Sequence, residues 1–390
     1  MHICVSRDTL LAACQLAGNV VPKHYFRPAL TCVRIDAGNG IILTASDTQI
    51  GLRQELVKGE VIRPGSALLP VVQTLQILKV SPAEQTEIEV PGSTAVGENE
   101  QTVILRFQGS LRGEFRFPQI PVEEFPEWSA IDPFTTLQCQ ALPLAEAAEQ
   151  TLFSVAKQDT SGWSLQETVA LECDPASECL ELVTTDGRRL SASRISCQAV
   201  GEKQSWKLPA NVIRLLCDLL SDVDRETQLQ IRLGKEAAHF VIGPYAVYSA
   251  LVNGRFPNHR PLLAQVEKKN SKTVTILTEP WISALRQIRA VADKEVRKVL
   301  CDFRRNSVVL STRGQGSGSV ELELPDDFQE TLCIAFDIAY LLEFLTVAQK
   351  LGYQAIVARF STPEAMAWFG PKFQRETSWD HLLMPMQVQV

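Results

Sequence analysis

No apolar run in the 390-residue chain approaches the roughly 20 residues needed to span a bilayer. The opening MHICVSRDTLLAACQ puts an arginine and an aspartate where a signal peptide needs its apolar stretch, so a soluble, cytoplasmic protein is expected. Histidine is scarce, five in all, and none stands near a cysteine at a zinc-ligand spacing. The ten cysteines form no CxxC pair. That scatter implies no disulfide framework; it implies reduced thiols acting as small hydrophobes, with no metal expected. GxSxG, Walker A, a GxGxxG opening a helix and HExxH are all missing. Asp186 beside Arg188 has no partnered nucleophile or base, so no residue is assigned as catalytic and no cofactor is expected. Positive charge is in short supply: 38 Lys and Arg against 45 Asp and Glu leave a net charge of -7. This argues against a surface coated for tight nucleic-acid contact, without forbidding a small basic surface. With 45% hydrophobic and 21% charged residues the chain is an ordinary globular one, long enough for two or three domains.

What is present is internal repetition. GNGIILTASDTQIGLRQE, from Gly38, has a counterpart in ECLELVTTDGRRLSASRI, and Asp47 stands 139 residues before Asp186. ALLPVVQTLQIL and WKLPANVIRLLCDLL each join an apolar strand end, a proline and an amphipathic helix pattern; Pro70 and Pro209 are again 139 apart. A third, more diverged copy follows in NSVVLSTRGQG and LCIAFDIAYLLEFL. Each copy opens on a helical pattern: RDTLLAACQLAGNVV, PLAEAAEQTLFSVAKQ and EPWISALRQIRAVADKEV. Runs alternating by two lie between, such as VILRF, LQIRL and SVELEL. Every copy therefore reads as helix, strands, helix, strands, an α+β unit of about 130 residues, large enough to hold its own core.

A second echo sets the boundaries. Phe125-Pro126 and Phe256-Pro257 each follow a strand-like run, and proline ends ladder pairing there. Domains are expected at 1–127, 128–255 and 256–390. Segment 80–100 is expected as a polar hairpin excursion, and the tract RGQGSGS after Thr312 as a flexible surface loop.

Taken together, these features resemble the beta subunit of bacterial DNA polymerase III, the sliding-clamp family. TTDGRRLS (Thr184 to Ser191) is similar to the family's TDG-basic-Arg-Leu signature, NGRFPNHRP (Asn253 to Pro261) to its GRFP element, and LLMPMQV (Leu382 to Val388) to its Met-Pro-Met ending. Lys157-Gln158-Asp159 resembles the end of the second domain's first helix. The resemblance runs over the whole chain in order. It implies three tandem clamp domains, each with two helices on antiparallel sheets, and a head-to-tail homodimer closing a ring.

The resemblance also implies sites. A hydrophobic pocket for partner peptides is expected from Leu165, Thr185, Gly187, Arg188, Arg189, Leu190, Pro257, Leu262, Val296, Asp337, Tyr340, Leu382, Met384, Pro385 and Met386. Arg189 and Tyr340 would satisfy peptide groups at the rim, and Leu382, Met384 and Met386 would form one apolar row of a strand. Double-stranded DNA, bound without regard to sequence, would meet Lys23, His24, Arg27, Lys79, Lys157, Gln158, Arg214, Arg286 and Arg289 through phosphates, with Arg7 and Lys350 also on the helices. Phe115 and Phe117 opposite Ala290 and Val291 would form the dimer seam. The implied partners are the polymerase III catalytic subunit, the clamp loader and other proteins with clamp-binding motifs, in a nucleoid-associated setting. The chain departs from the family at His259, Pro261, Val296, Met366 and Gln387. A peptide-binding scaffold that does not act on DNA is the competing expectation.

Overall fold

The computed structural model describes all residues except 23–26, 92–101, 109–111, 129–130, 159–164, 221–222, 225, 294, 296, 315, 374 and 389–390. The chain divides into two units, Met1–Ala141 with Arg214–Leu251, and Leu142–Ile213 with Val252–Val390. Seven α-helices lie among the described residues: α1 (Arg7–Gly18), α2 (Val71–Val80), α3 (Ala141–Leu152), α4 (Ala210–Leu220), α5 (Arg260–Lys269), α6 (Thr278–Val291) and α7 (Ile338–Lys350). Of these, none is long and apolar enough to cross a membrane.

Six of the seven helices follow directly on a strand: His2–Ser6, Gly65–Pro70, Thr135–Gln140, Gln204–Pro209, Lys272–Leu277 and Leu332–Asp337. The repeated motif is thus strand then helix, with a short strand ahead of the first helix in every copy. Five or six residues give too few alternations for that strand to stand out in sequence. Side chains set two of the helix starts. Ser6 Oγ accepts from the Thr9 amide at 3.1 Å, and Asp337 Oδ1 accepts from the Ala339 amide at 2.7 Å, each satisfying a donor that the first turn leaves open. The α1 face then buries Leu10, Ala13, Cys14 and Ala17, and the α6 face buries Trp281, Ile282, Leu285 and Ile288, at the three- and four-residue steps a one-faced helix requires.

In the first unit, the strands Gly59–Arg63, His2–Ser6, Gln85–Glu89, Thr102–Gln108 and Gly113–Pro118 form one antiparallel sheet in that order. Gln85–Glu89 belongs to the expected hairpin excursion, whose tip falls outside the described residues. A second sheet runs Thr135–Gln140, Gln228–Leu233, Ala237–Ile242, Tyr245–Ala250, Ile50–Leu56, Ile41–Ser46, Cys32–Ala37 and Gly65–Pro70.

The second unit repeats this plan. Its larger sheet runs Gln204–Pro209, Thr168–Asp174, Cys179–Thr185, Arg189–Ser196, Ser378–Leu383, Ala367–Pro371, Ala355–Phe360 and Lys272–Leu277, and its smaller one Ser317–Glu323, Ser307–Arg313, Lys298–Arg304 and Leu332–Asp337. Phe303, Phe336, Phe344, Phe360 and Phe369 are fully buried there and meet as tilted and edge-on pairs, with centroids 5.1 to 6.4 Å apart.

Two expectations need correction. Ser317–Glu323 is a paired strand, so RGQGSGS is a turn and a strand start, not a loop; Gly318 lies so near Val291 that an added Cβ would stand 3.0 Å away. Helix α3 ends at Leu152, short of Lys157 and Gln158, after Thr151 Oγ1 turns back to the Ala147 carbonyl at 2.8 Å. Helix α5 was not anticipated, because Val266 is its one buried residue and leaves no apolar period to detect.

Candidate functional site

The second-unit turn Thr185–Arg189 is built by its own side chains. Asp186 Oδ1 accepts from the amides of Arg188 at 2.9 Å and Arg189 at 3.0 Å. Thr185 Oγ1 donates to the Arg189 carbonyl at 2.6 Å and accepts from the Gly187 amide at 3.1 Å. Gly187 has φ +85°, where a side chain would be strained. The turn delivers the strand Arg189–Ser196, which pairs with Ser378–Leu383 so that Leu190 faces Leu382. The Met384 amide continues to the Arg188 carbonyl at 2.9 Å.

Beside this pairing lies a cavity of about 220 Å³. Its walls include Leu165, Thr185, Gly187, Arg188, Arg189, Leu190, Pro257, Leu262, Leu382 and Met384, all expected from the sequence. Asn258, His259 and Met366 join them, although the sequence pointed to the last two only as departures. Asp337, Tyr340, Pro385 and Met386 do not line it, and Val296 lies outside the described residues. The wall is mainly apolar. Leu382 is fully buried, whereas Met384 is 43% exposed at the mouth.

Two roles assigned from the sequence change. Arg189 is not a free rim donor: it is 6% exposed, its Nε lies 3.0 Å from Asp186 Oδ2 and its Nη1 2.6 Å from Glu343 Oε2. Its guanidinium also covers the Tyr340 ring at 4.2 Å. Arg188, with an exposed side chain, is the available cation. The methionine row is not a strand either, because the strand ends at Leu383 and Met386 makes only an isolated bridge to Ala335. Asp337 caps α7, and burial raises the Tyr340 pKa.

Behind the pocket wall the residues are ionic. His259 is 1% exposed, with Nδ1 3.8 Å from Glu172 Oε1 and Nε2 3.4 Å from Glu181 Oε2. Arg260 Nη2 is 3.0 Å from an oxygen of each carboxylate, and Arg194 joins Glu181 to Asp380. Burial opposes the charge on Glu181, but His259, Arg194 and Arg260 hold its pKa below the ordinary carboxylate value.

The first unit has an equivalent junction. Gly51 faces Tyr248 across paired strands, as Leu190 faces Leu382. Trp128, from the Phe-Pro exit of the first copy, lies on it: an added Cβ at Gly51 would stand 2.3 Å from Trp128 Nε1. The indole stacks on Tyr248 at 6.0 Å and carries the Arg53 guanidinium at 4.8 Å.

Of the residues expected to face DNA, Arg27, Lys79 and Arg214 in the first unit are exposed, as are Lys157, Gln158, Arg286 and Arg289 in the second. Lys23 and His24 lie outside the described residues. Arg7 is 2.8 Å from Asp8 and Lys350 2.9 Å from Glu149, so acids on the helices offset these two cations. The seam candidates lie on one sheet edge and beside another. Phe115, 39% exposed, is on the edge strand Gly113–Pro118 and meets Phe107 edge-on; Phe117 is half-buried there. Exposed Ala290 and half-buried Val291 end α6, with Val291 against the edge strand Ser317–Glu323. Burial raises the pKa of the Cys14 and Cys139 thiols to about 12, which keeps them protonated and unreactive.

Strand–helix copies joined through continuous antiparallel sheets define a DNA-clamp fold. Residues 1–129 match the family described as DNA polymerase III beta subunit, N-terminal domain, and residues 138–258 its central domain. The chain belongs to the DNA polymerase III beta subunit family, the sliding clamps. The beta sliding clamp of Pseudomonas putida is 24% identical over 351 residues, 89% of this chain and 90% of that one. That of Vibrio cholerae is 26% identical over 318 residues, 79% of each. Among solved structures, a Pseudomonas aeruginosa sliding clamp bound to griselimycin superposes with a TM-score of 0.88 at 21% identity, and a Bacillus subtilis sliding clamp with 0.86 at 20%, each over the full length of both chains.

Proposed function

We propose that this chain works as a non-catalytic processivity clamp in the cytoplasm, at the nucleoid, with clamp domains at 1–127, 128–255 and 256–390. Two copies close head to tail around duplex DNA and tether the polymerase III catalytic subunit. The observation that carries this reading is the repeated strand–helix plan, shared over its whole length with clamps of known structure. Two open sheet edges support ring closure, Gly113–Pro118 in the first unit and Ser317–Glu323 in the second. An unpaired edge is a ready template for another chain, and Phe115 with Phe117 would meet Ala290 and Val291 there.

Exposed Arg27, Lys79, Lys157, Arg214, Arg286 and Arg289 offer contacts to phosphate alone, which hold weakly and fall with salt. Weak contact suits a tether that slides, since enclosure rather than grip retains it. The pocket at Leu190 and Leu382 would take an extended peptide from the polymerase, the clamp loader or other partners. Its apolar wall supplies area, and Met366 and Met384 adapt to differing sequences. The test is retention after loading on nicked circular DNA. The clamp should stay on the circle and leave once the DNA is cut linear; equal retention on both forms would refute enclosure.

A further inference from the structure

The second-unit cluster of Glu172, Glu181 and His259 has the composition of a cation site. One ligand atom from each residue comes within 4.8 Å of the other two. Glu181 is 2% exposed and His259 1%. Neither imidazole nitrogen has a hydrogen-bond partner, although both point at carboxylates. The nearest carboxylate oxygens stand 3.8 and 3.4 Å off, long for a hydrogen bond, so they satisfy the buried ring only loosely. The position between the carboxylates already holds positive charge, because Arg260 Nη2 bridges Glu172 and Glu181 at 3.0 Å to each. That side chain is 53% exposed, so its head can swing into water.

With Arg260 withdrawn, Glu181 and Asp380 share one guanidinium, Arg194, and Glu172 is left with none. The excess is two negative charges, matching one divalent ion. We infer that Glu172, Glu181 and one ring nitrogen of His259 bind a divalent transition-metal ion, with Arg260 as a built-in competitor for the same position. Two carboxylate oxygens and an imidazole suit Zn2+ among the common divalent ions. His259 also lines the pocket, so the ion would fix that wall from behind.

The competitor gives the test its sign. Full-length protein is titrated with ZnCl2 by calorimetry as wild type, Arg260→Met and Glu172→Gln. One equivalent per chain is expected, with Arg260→Met binding about tenfold tighter and Glu172→Gln at least about tenfold weaker, the scale on which neighbouring groups tune a metal site. A gain of affinity in Arg260→Met cannot come from misfolding, and circular dichroism checks that Glu172→Gln keeps its fold. The same Arg260→Met protein titrated with Co2+ should show visible bands of a nitrogen-and-oxygen site. Absence of saturable binding in wild type and Arg260→Met would overturn the assignment, as would equal affinities in the two proteins.

Discussion

His381 sits one residue before the pocket residue Leu382 and is fully buried. Its Nδ1 lies 2.8 Å from Ser191 Oγ, and its ring stacks on Phe344 at 4.5 Å. Burial, reinforced by the Arg189 charge, pushes its pKa well below the usual value of 6.5, with only the Leu190 backbone pulling the other way. The folded state therefore refuses a proton that the unfolded chain accepts. The stabilising contribution is complete above about pH 6.5 and is lost as pH falls below it. With the folded ring held neutral, an unfolded chain titrating at about 6.5 gains about 1.4 kcal/mol at about pH 5.5 and almost nothing at about pH 7.5. His381→Phe removes this linkage. It also strips Ser191 of a partner, a roughly pH-independent cost of about 1 kcal/mol. Urea unfolding of both proteins at the two pH values should show the wild type losing about 1.4 kcal/mol more stability on acidification than the variant. Parallel losses would mean that His381 protonates in the folded state and that its stacked, desolvated position has been misjudged.

Three further outcomes bear on the proposed surfaces. Phe115→Asp with Phe117→Asp should move the solution mass from twice the chain mass toward one chain, read by light scattering; an unchanged mass would put the seam elsewhere. Met384→Ala should weaken a bound polymerase-derived peptide by roughly 1 kcal/mol without loss of stability. Arg189→Met should instead lower stability by roughly 1–3 kcal/mol, less than breaking a fully buried pair because Glu343 is half exposed. Anisotropy titrations beside urea melts separate the two effects, and a stable Arg189→Met protein that loses only peptide would restore Arg189 to the rim.

The architecture was legible where the repeat wrote it twice. Pro70 and Pro209 do end strands that feed α2 and α4, because an apolar run closed by proline has few other uses. The helix faces followed from spacing, as in Leu10, Ala13, Cys14 and Ala17. Sequence logic failed where a residue's role depends on a distant partner. Nothing near Arg189 announces Glu343, 154 residues away, so the arginine read as available. His259 looked like a substitution after GRFP, and only folding brings Glu172 and Glu181 to it. Short segments failed for a different reason: α5 buries one side chain, and the tract around Gly318 was judged by its glycines when strand pairing decides its conformation.

The two junctions show how one repeated scaffold yields a polar cleft and an apolar pocket. Both exits are Phe-Pro followed by two residues, Glu127-Trp128 in one and Asn258-His259 in the other. Both lie beside a cross-strand pair, Gly51 with Tyr248 or Leu190 with Leu382. At the first, the missing side chain of Gly51 leaves room for the Trp128 indole, which packs on Tyr248 and is roofed by Arg53. The cavity that remains beside the indole, about 370 Å³, is edged by the charged groups of Arg34, Asp36, Arg53 and Glu127. At the second, leucines replace glycine and tyrosine, and the corresponding residue is a smaller ring turned toward Glu172 and Glu181. Its nitrogens meet the carboxylates while Leu190, Leu262 and Met384 stay at the cavity. Apolar surface left open in this way is what a partner segment can cover. Position 259 therefore serves both sides of the wall: its polarity draws the ring toward the acids, and the space it does not fill is the pocket.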